Sequence, residues 1–278
     1  MSKHKQSKTN TKFDVKTNNN SVDLKNILSN FFSLFSFLKY IDPFYYFDLI
    51  ILPILQKIFG KNQTIEFIAN LIYALICALL FYTLLIFLFN SSSPLVIVYS
   101  ASMHPTLYRG DVIGLTNNNS NAYFGEVVTL NKSINQIFAK DYVTGQYNSS
   151  SQLEKLVFDK NIAITPNTNG QIVVYNSYPY GIPIIHRSIA QIVALDGNFL
   201  ITKGDNIETN KQFDQDCVLD NQGKIHNCLT VYAINKKDIV GSSFFKIPLI
   251  GCIKLWIFDD LPALITTSKL PSDFGPYC

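Results

Sequence analysis

The sequence predicts a mainly β domain tethered to a membrane by one spanning helix, with a further apolar segment lying at the interface before that helix. Three observations carry this reading. Residues 67–89 form an uncharged apolar stretch of membrane-spanning length. The chain beyond it breaks into short runs rich in Val, Ile, Tyr and Phe, most of them bounded by Gly, Asn, Asp or Pro. Charge is scarce: 15% of the 278 residues are Asp, Glu, Lys or Arg, against 47% hydrophobic, where a soluble domain carries roughly 25% charge.

Composition also excludes several classes. The hydrophobic content is too high for a disordered chain. Five Cys in this length do not make a disulfide-dense scaffold. A net charge of +3 provides no electrostatic footprint for nucleic acid, so no nucleic-acid partner is expected. Of the 23 basic residues only Arg109 and Arg187 are Arg, and both fall inside the motifs below.

Residues 1–26 are polar, with six Lys and a run of three Asn, and read as a disordered basic tail on the cytoplasmic side. Residues 27–62 are apolar but interrupted by Lys39, Asp42, Pro43, Asp48 and Pro53. A charge at the centre of a spanning helix costs about 2.5–3.5 kcal/mol on insertion scales, so this segment is expected to lie at the interface or re-enter. Phe67 to Phe89 is 23 residues without charge, Pro or Gly, and about 20 are needed to cross. Lys57 and Lys61 precede it and no basic residue follows until Arg109. The positive-inside rule then places everything beyond it outside the cytoplasm.

The extracytoplasmic region, 94–262, is expected to be a β-rich catalytic domain followed by a tail at 263–278. Its β-type runs are 95–99, 112–115, 126–130, 171–175, 182–185, 189–195, 199–202, 230–234 and 247–258. Residues 131–169 are polar, rich in Asn and Ser, and read as an insertion. The stretch 249–264 carries Lys254, Asp259 and Asp260, which argues against a second span. Trp256 and Phe258 suit either a membrane-facing edge or the core.

Three groups of residues could carry chemistry. The first is Ser100-Ala101-Ser102-Met103, followed by Pro105-Thr106-Leu107 and Gly110-Asp111, beginning about ten residues past the span. The second is His186-Arg187 in a β-type run, preceded by Gly170-Gln171-Ile172-Val173-Val174-Tyr175. The third is Thr202-Lys203-Gly204-Asp205-Asn206. A serine hydroxyl needs a base to become a nucleophile at neutral pH. Of the four His, His4 lies in the tail, His104 adjoins the serine box and His226 sits in a polar loop, which leaves His186.

In this order and spacing the three groups resemble the boxes of type I signal peptidases. The His186-Arg187 pair matches the archaeal and endoplasmic-reticulum kind, which carries His-Arg where the bacterial kind carries a Lys-Arg pair. The resemblance covers about 94–258, with 131–169 unmatched. It implies a membrane-bound serine endopeptidase that removes N-terminal signal peptides from secreted proteins at the outer membrane face. Ser102 would be the nucleophile and His186 the base. The Ser100 hydroxyl and the Ser102 backbone N–H would line the oxyanion hole, with Arg187, Gly204 and Asn206 as structural support. Neither metal nor cofactor is implied. Its partners would be signal peptides, the bilayer and accessory membrane subunits. The family places its orienting acid about six residues beyond the Asp of the third box, but position 211 here is Lys. Asp214, Asp205 and Asp216 are the alternatives. Lys211 also gives some support to a second reading, a non-catalytic anchored subunit or pseudo-enzyme of the same fold. A third reading, a cell-surface binding module, has only the polar loops behind it.

Cys217 and Cys228 lie eleven positions apart across a polar turn, where an extracytoplasmic setting permits a disulfide; with His226 close by, metal binding is the other option. Cys77 lies in the span and is expected to be inert packing, while Cys252 and Cys278 show no evident partner.

Overall fold

The computed structural model describes residues 40, 42–117, 122–159, 162–220, 222, 224–270 and 278. The basic tail expected at 1–26 therefore lies outside the described residues. The chain divides into two compact units at Leu79/Leu80.

In the first unit Asp42 caps α1 (Pro43–Tyr46) by accepting from the Phe44 N–H at 2.9 Å, and Pro43 occupies a position where a missing N–H costs nothing. A π-helical turn, Phe47–Ile51, leads into α2 (Leu52–Phe59). That turn widens the helix just before Pro53, which has no N–H to continue the ladder. Gly60, at a φ of +72°, ends α2; a left-handed residue there favours glycine. The chain then enters α3 (Gln63–Phe89), the one described helix long and apolar enough to cross a membrane. The rings of Phe44 and Phe47 pack on Tyr73, and Gln56 donates to Glu66 at 2.9 Å. The apolar segment before the span is thus a helix folded back along α3.

The second unit is mainly β. Its large sheet runs β1 (Leu95–Ile97), β2 (Val112–Thr116), β13 (Gly241–Ile247), β7 (Ile172–Asn176), β8 (Pro183–Ala194), β9 (Gly197–Lys203) and β12 (Ile234–Asn235), with β3 (Glu126–Thr129) parallel to β8. The runs at 182–185 and 189–195 are one strand, β8. A register shift between Ser188 and Ala190 bulges it against β9, so its first half pairs with β7 and its second with β9 and β3. Of the run at 230–234 only Ile234 joins the sheet, as the first residue of β12.

Within residues 131–169, β4 (Val143–Tyr147), β5 (Leu153–Phe158) and β6 (Ile162–Ile164) form their own antiparallel sheet. Its buried Val143, Leu156 and Phe158 share a core with Ile192, Phe199 and Phe213, contacts too distant in sequence to leave a local pattern. The run at 247–258 is a strand only to Ile247. Beyond it lie α4 (Cys252–Leu255), a π-helical turn Trp256–Asp260 and α5 (Leu261–Thr267). An apolar run without alternation fits a helix or a strand equally well, and here the Gly251–Gly110 backbone bond at 2.9 Å turns the chain out of the sheet. Finally, Cys252 and Cys278 do have partners, namely each other. Between Cys217 and Cys228 the structure also has a disulfide, closing over the hairpin of β10 (Val218–Leu219) and β11 (Ile225–His226). Neither thiolate is left for a metal.

Candidate active site

The serine box follows β1 and forms a short 3₁₀ turn, Ala101–Met103. Met103 anchors it, fully buried among Val98, Leu107 and Ile113. This leaves Ser100 and Ser102 side by side, with the Ser100 hydroxyl 3.1 Å from that of Ser102. The third box, which follows β9, grips the same turn. The Asn206 N–H donates to the Ser102 carbonyl at 2.9 Å, and the Asn206 side-chain amide donates to the Ala101 carbonyl at 2.9 Å. Gly204 makes the close approach possible: a Cβ at that position would fall 2.6 Å from the Ser102 carbonyl oxygen.

His186 lies on β8 opposite Val173 of β7. Its Nδ1 is 2.8 Å from both carboxylate oxygens of Asp214, and both side chains are buried. Asp214 is carried there by backbone bonds: its N–H donates to Thr202 of β9 at 2.9 Å, and its carbonyl accepts from Leu229 and Thr230. The Tyr175 hydroxyl, from β7, donates to Asp214 Oδ2 at 2.8 Å. Behind it the Thr202 hydroxyl donates to Tyr175, and the Gln215 amide to Thr202. Burial pushes the Asp214 carboxyl up, but the facing His186 ring and the hydrogen bonds from His186 and Tyr175 outweigh it and hold the carboxyl below its ordinary range. Burial and the Asp214 charge drive Tyr175 the other way, far above the ordinary phenol value, so it stays a donor. An ionised Asp214 on Nδ1 fixes the proton there and leaves Nε2 free to accept.

The other candidates are engaged elsewhere. Arg187, next to His186, points to the opposite face of β8 and makes a two-pronged pair with Asp205 at 2.6 and 2.8 Å. It also donates to the Gly170 carbonyl at 2.8 Å. Asp216 accepts from the Tyr147 hydroxyl. Lys203 donates to the Gly204 carbonyl at 2.9 Å, and burial, against the pull of Asp214 and Asp205, lowers its pKa. His104 packs edge-on against Tyr108, and His226 pairs with Asp220 in the β10–β11 hairpin.

Ser100, Ser102 and His186 line one cavity of about 520 Å³. Its walls are mostly apolar and include Val96 of β1, Val98 just beyond it, Val174 and Ile184. Two residues that matter here were not singled out from the sequence. Tyr175 had a usable signal, a hydroxyl-bearing side chain ending an otherwise aliphatic β run. Asn210, which lines the cavity and crowds Gly204, had none.

No protein-family model matches the chain. Curated proteins do. It is 31% identical to the signal peptidase complex catalytic subunit of Lachancea thermotolerans, over 73% of this chain and 93% of that protein. With the protein of the same name from Schizosaccharomyces pombe it shares 29% identity over 74% and 88% of the two chains. With that from Saccharomyces cerevisiae it shares 29% over 69% and 81%.

Proposed function

We propose, for a chain that belongs to the family of signal peptidase complex catalytic subunits, that Ser102, His186 and Asp214 perform the peptide cleavage. The protein is a membrane-anchored serine endopeptidase that removes signal peptides. The observation that carries the assignment of roles is the His186–Asp214 contact at 2.8 Å at the wall of the cavity that Ser102 also lines.

In this reading the signal peptide lies extended in the apolar cleft. Asp214, held by Tyr175, keeps His186 in the tautomer whose Nε2 accepts. Nε2 takes the Ser102 proton as Oγ attacks the scissile carbonyl carbon. The Ser100 hydroxyl and the Ser102 N–H stabilise the oxyanion. On collapse His186 protonates the departing amine, which is the new N-terminus of the mature protein. Water, deprotonated by the same imidazole, then hydrolyses the acyl-enzyme and releases the signal peptide. Arg187, through Asp205, and Asn206, through the Ser102 carbonyl, hold the three boxes together. α3 spans the membrane with the catalytic domain outside the cytoplasm, which in the endoplasmic reticulum is the lumenal face. The word "complex" in the relatives' names supports accessory membrane subunits as partners.

The test is cleavage of a preprotein by the purified chain in detergent or proteoliposomes. Wild type should cut at the signal-peptide junction. Ser102→Ala and His186→Ala should each be inactive while remaining folded. Cleavage retained by Ser102→Ala would overturn the assignment.

A further inference from the structure

The parts of this chain that depart from the family pattern meet beside the cleft. Position 211 is Lys, and the acid that faces His186 comes later, at Asp214, so the loop after the third box is longer. The sheet of β4, β5 and β6 lies within the unmatched residues 131–169, and it braces that longer loop. The Leu153 N–H donates to the Lys211 carbonyl at 3.2 Å. The Tyr147 hydroxyl donates to Asp216, and Phe213 shares a buried core with Val143, Leu156 and Phe158. Further along, the Cys217–Cys228 bond closes the β10–β11 hairpin.

These elements line a second cavity of about 500 Å³, with Ser151 at the β4–β5 turn, Glu208, Lys211, Gln212, Asn227 and Leu229 among its walls. Its lining is mainly polar, unlike that of the cleft. The two cavities adjoin, for Asn210 and Leu229 line both. Leu229 identifies which end of the cleft this is. Its N–H holds the Asp214 carbonyl at 2.9 Å, and Asp214 holds His186, which protonates the departing amine in the proposed reaction. The amine side of the cut is thus the side that faces the polar cavity. At the junction the Thr209 hydroxyl donates to Asn210 Oδ1 at 2.9 Å. That contact assigns the oxygen of the Asn210 amide and leaves its two N–H groups to another acceptor.

We propose that the polar cavity is a binding site for the first few residues of the mature protein, those that follow the cut. An extended chain turns successive side chains to opposite faces and keeps its main-chain carbonyls available along its edges. Asn210 donates to the carbonyl nearest the cut, and Glu208 and Lys211 meet side chains further on. Both charged residues are exposed and pair with no opposite charge among the described residues, so each is open to a charge on the ligand. The site thus reads the sequence after the cut through charge, where the cleft is apolar. This proposal rests on the signal-peptidase reading and extends it to the mature side of the preprotein.

The test uses the full chain in proteoliposomes and three preproteins that differ only in the second and third residues after the cut, which are both Lys, both Glu or both Gln. Lys211→Glu should raise the ratio of kcat/KM for the basic over the acidic preprotein by about two- to fivefold, the size of an exposed charge pair. Glu208→Lys should lower that ratio by a similar factor. Each ratio is taken on one variant, so a general loss of activity or of folded protein cancels. The same reversal at Lys237, which lies outside both cavities, should leave the ratio unchanged; an equal shift there would overturn the site in favour of a diffuse field. Unaltered ratios in Lys211→Glu and Glu208→Lys, from enzymes that still cut, would overturn the site alone. Wild type that cuts none of the three would overturn the signal-peptidase reading and the proposal with it. Placement is read separately, with a photoreactive benzoylphenylalanine in place of Ser151 in a Ser102→Ala chain, which keeps the preprotein uncut. Illumination should crosslink it to the first few residues after the cut. Crosslinks confined to the signal peptide, or none, would overturn the proposal.

Discussion

His186 and Arg187 are neighbours on β8, yet each engages a different carboxylate: His186 meets Asp214 at 2.8 Å, and Arg187 meets Asp205 at 2.6 Å. Successive side chains of a strand point to opposite faces. One residue is therefore turned to the cleft and the other to the third sequence box, and the two acids have separable effects. Asp214→Asn should lower single-turnover kcat by about 10⁴, the loss found when a triad carboxylate is removed. Asp205→Asn should reduce the amount of folded protein and spare most of the chemical step. Single-turnover cleavage by variants matched for stability decides; equal kinetic losses would refute the division of roles.

Tyr175→Phe deletes a hydroxyl that donates to the Asp214 carboxylate. A hydrogen bond to a charged group contributes about 1.5–3 kcal/mol, so kcat/KM should fall roughly ten- to a hundredfold. The carboxylate, deprived of a donor, becomes easier to protonate, and the acidic limb of the pH–rate profile should move to higher pH. A change in rate without movement of that limb would point to a packing role.

Gly204→Ala introduces a Cβ 2.6 Å from the Ser102 carbonyl oxygen, a backbone atom that cannot rotate aside. The turn carrying Ser102 must shift. Because an ångström of misplacement can cost on the order of 10² in rate, kcat should fall by about that factor, with circular dichroism unchanged. A wild-type rate would show that the turn can yield without moving the hydroxyl.

The Cys217–Cys228 bond closes a loop that ends just before Leu229 and Thr230, whose N–H groups hold the Asp214 carbonyl. Removing it with a paired Cys→Ser change should cost roughly 3 kcal/mol in stability, typical of closing a short loop. It should also reduce kcat by loosening Asp214. Denaturant midpoints with and without reductant measure the first effect, and single-turnover rates the second.

The depressed Asp214 pKa fixes the sign of a stability effect. This carboxyl binds its proton less readily folded than unfolded. Its contribution is therefore complete above the unfolded value of about 3.9 and is lost as the pH falls through the lower folded value. Chemical denaturation should show the stability gap between wild type and Asp214→Asn narrowing only below about pH 4. A gap that closes at neutral pH would contradict the ionised, His-paired carboxylate.

The sequence by itself determined the class of the fold, because alternation and membrane span length are local properties. Uninterrupted apolarity from Phe67 to Phe89 is enough to require a helix, and α3 covers it. It also pointed to Ser102 and His186, since the residues around each follow a family pattern that is contiguous in the chain. Three aspartates stayed open because the acid facing His186 is 28 positions away. Only the pairing of β8 with β9, and the Asp214–Thr202 backbone bond across it, brings Asp214 to the ring and leaves Asp205 to Arg187. Non-local contact likewise decided the region after Ile247. Its apolar run suits a strand or a helix, and the bond from Gly251 to Gly110, the disulfide to Cys278 and the Arg109–Asp260 pair accompany a helix with its charge turned inward.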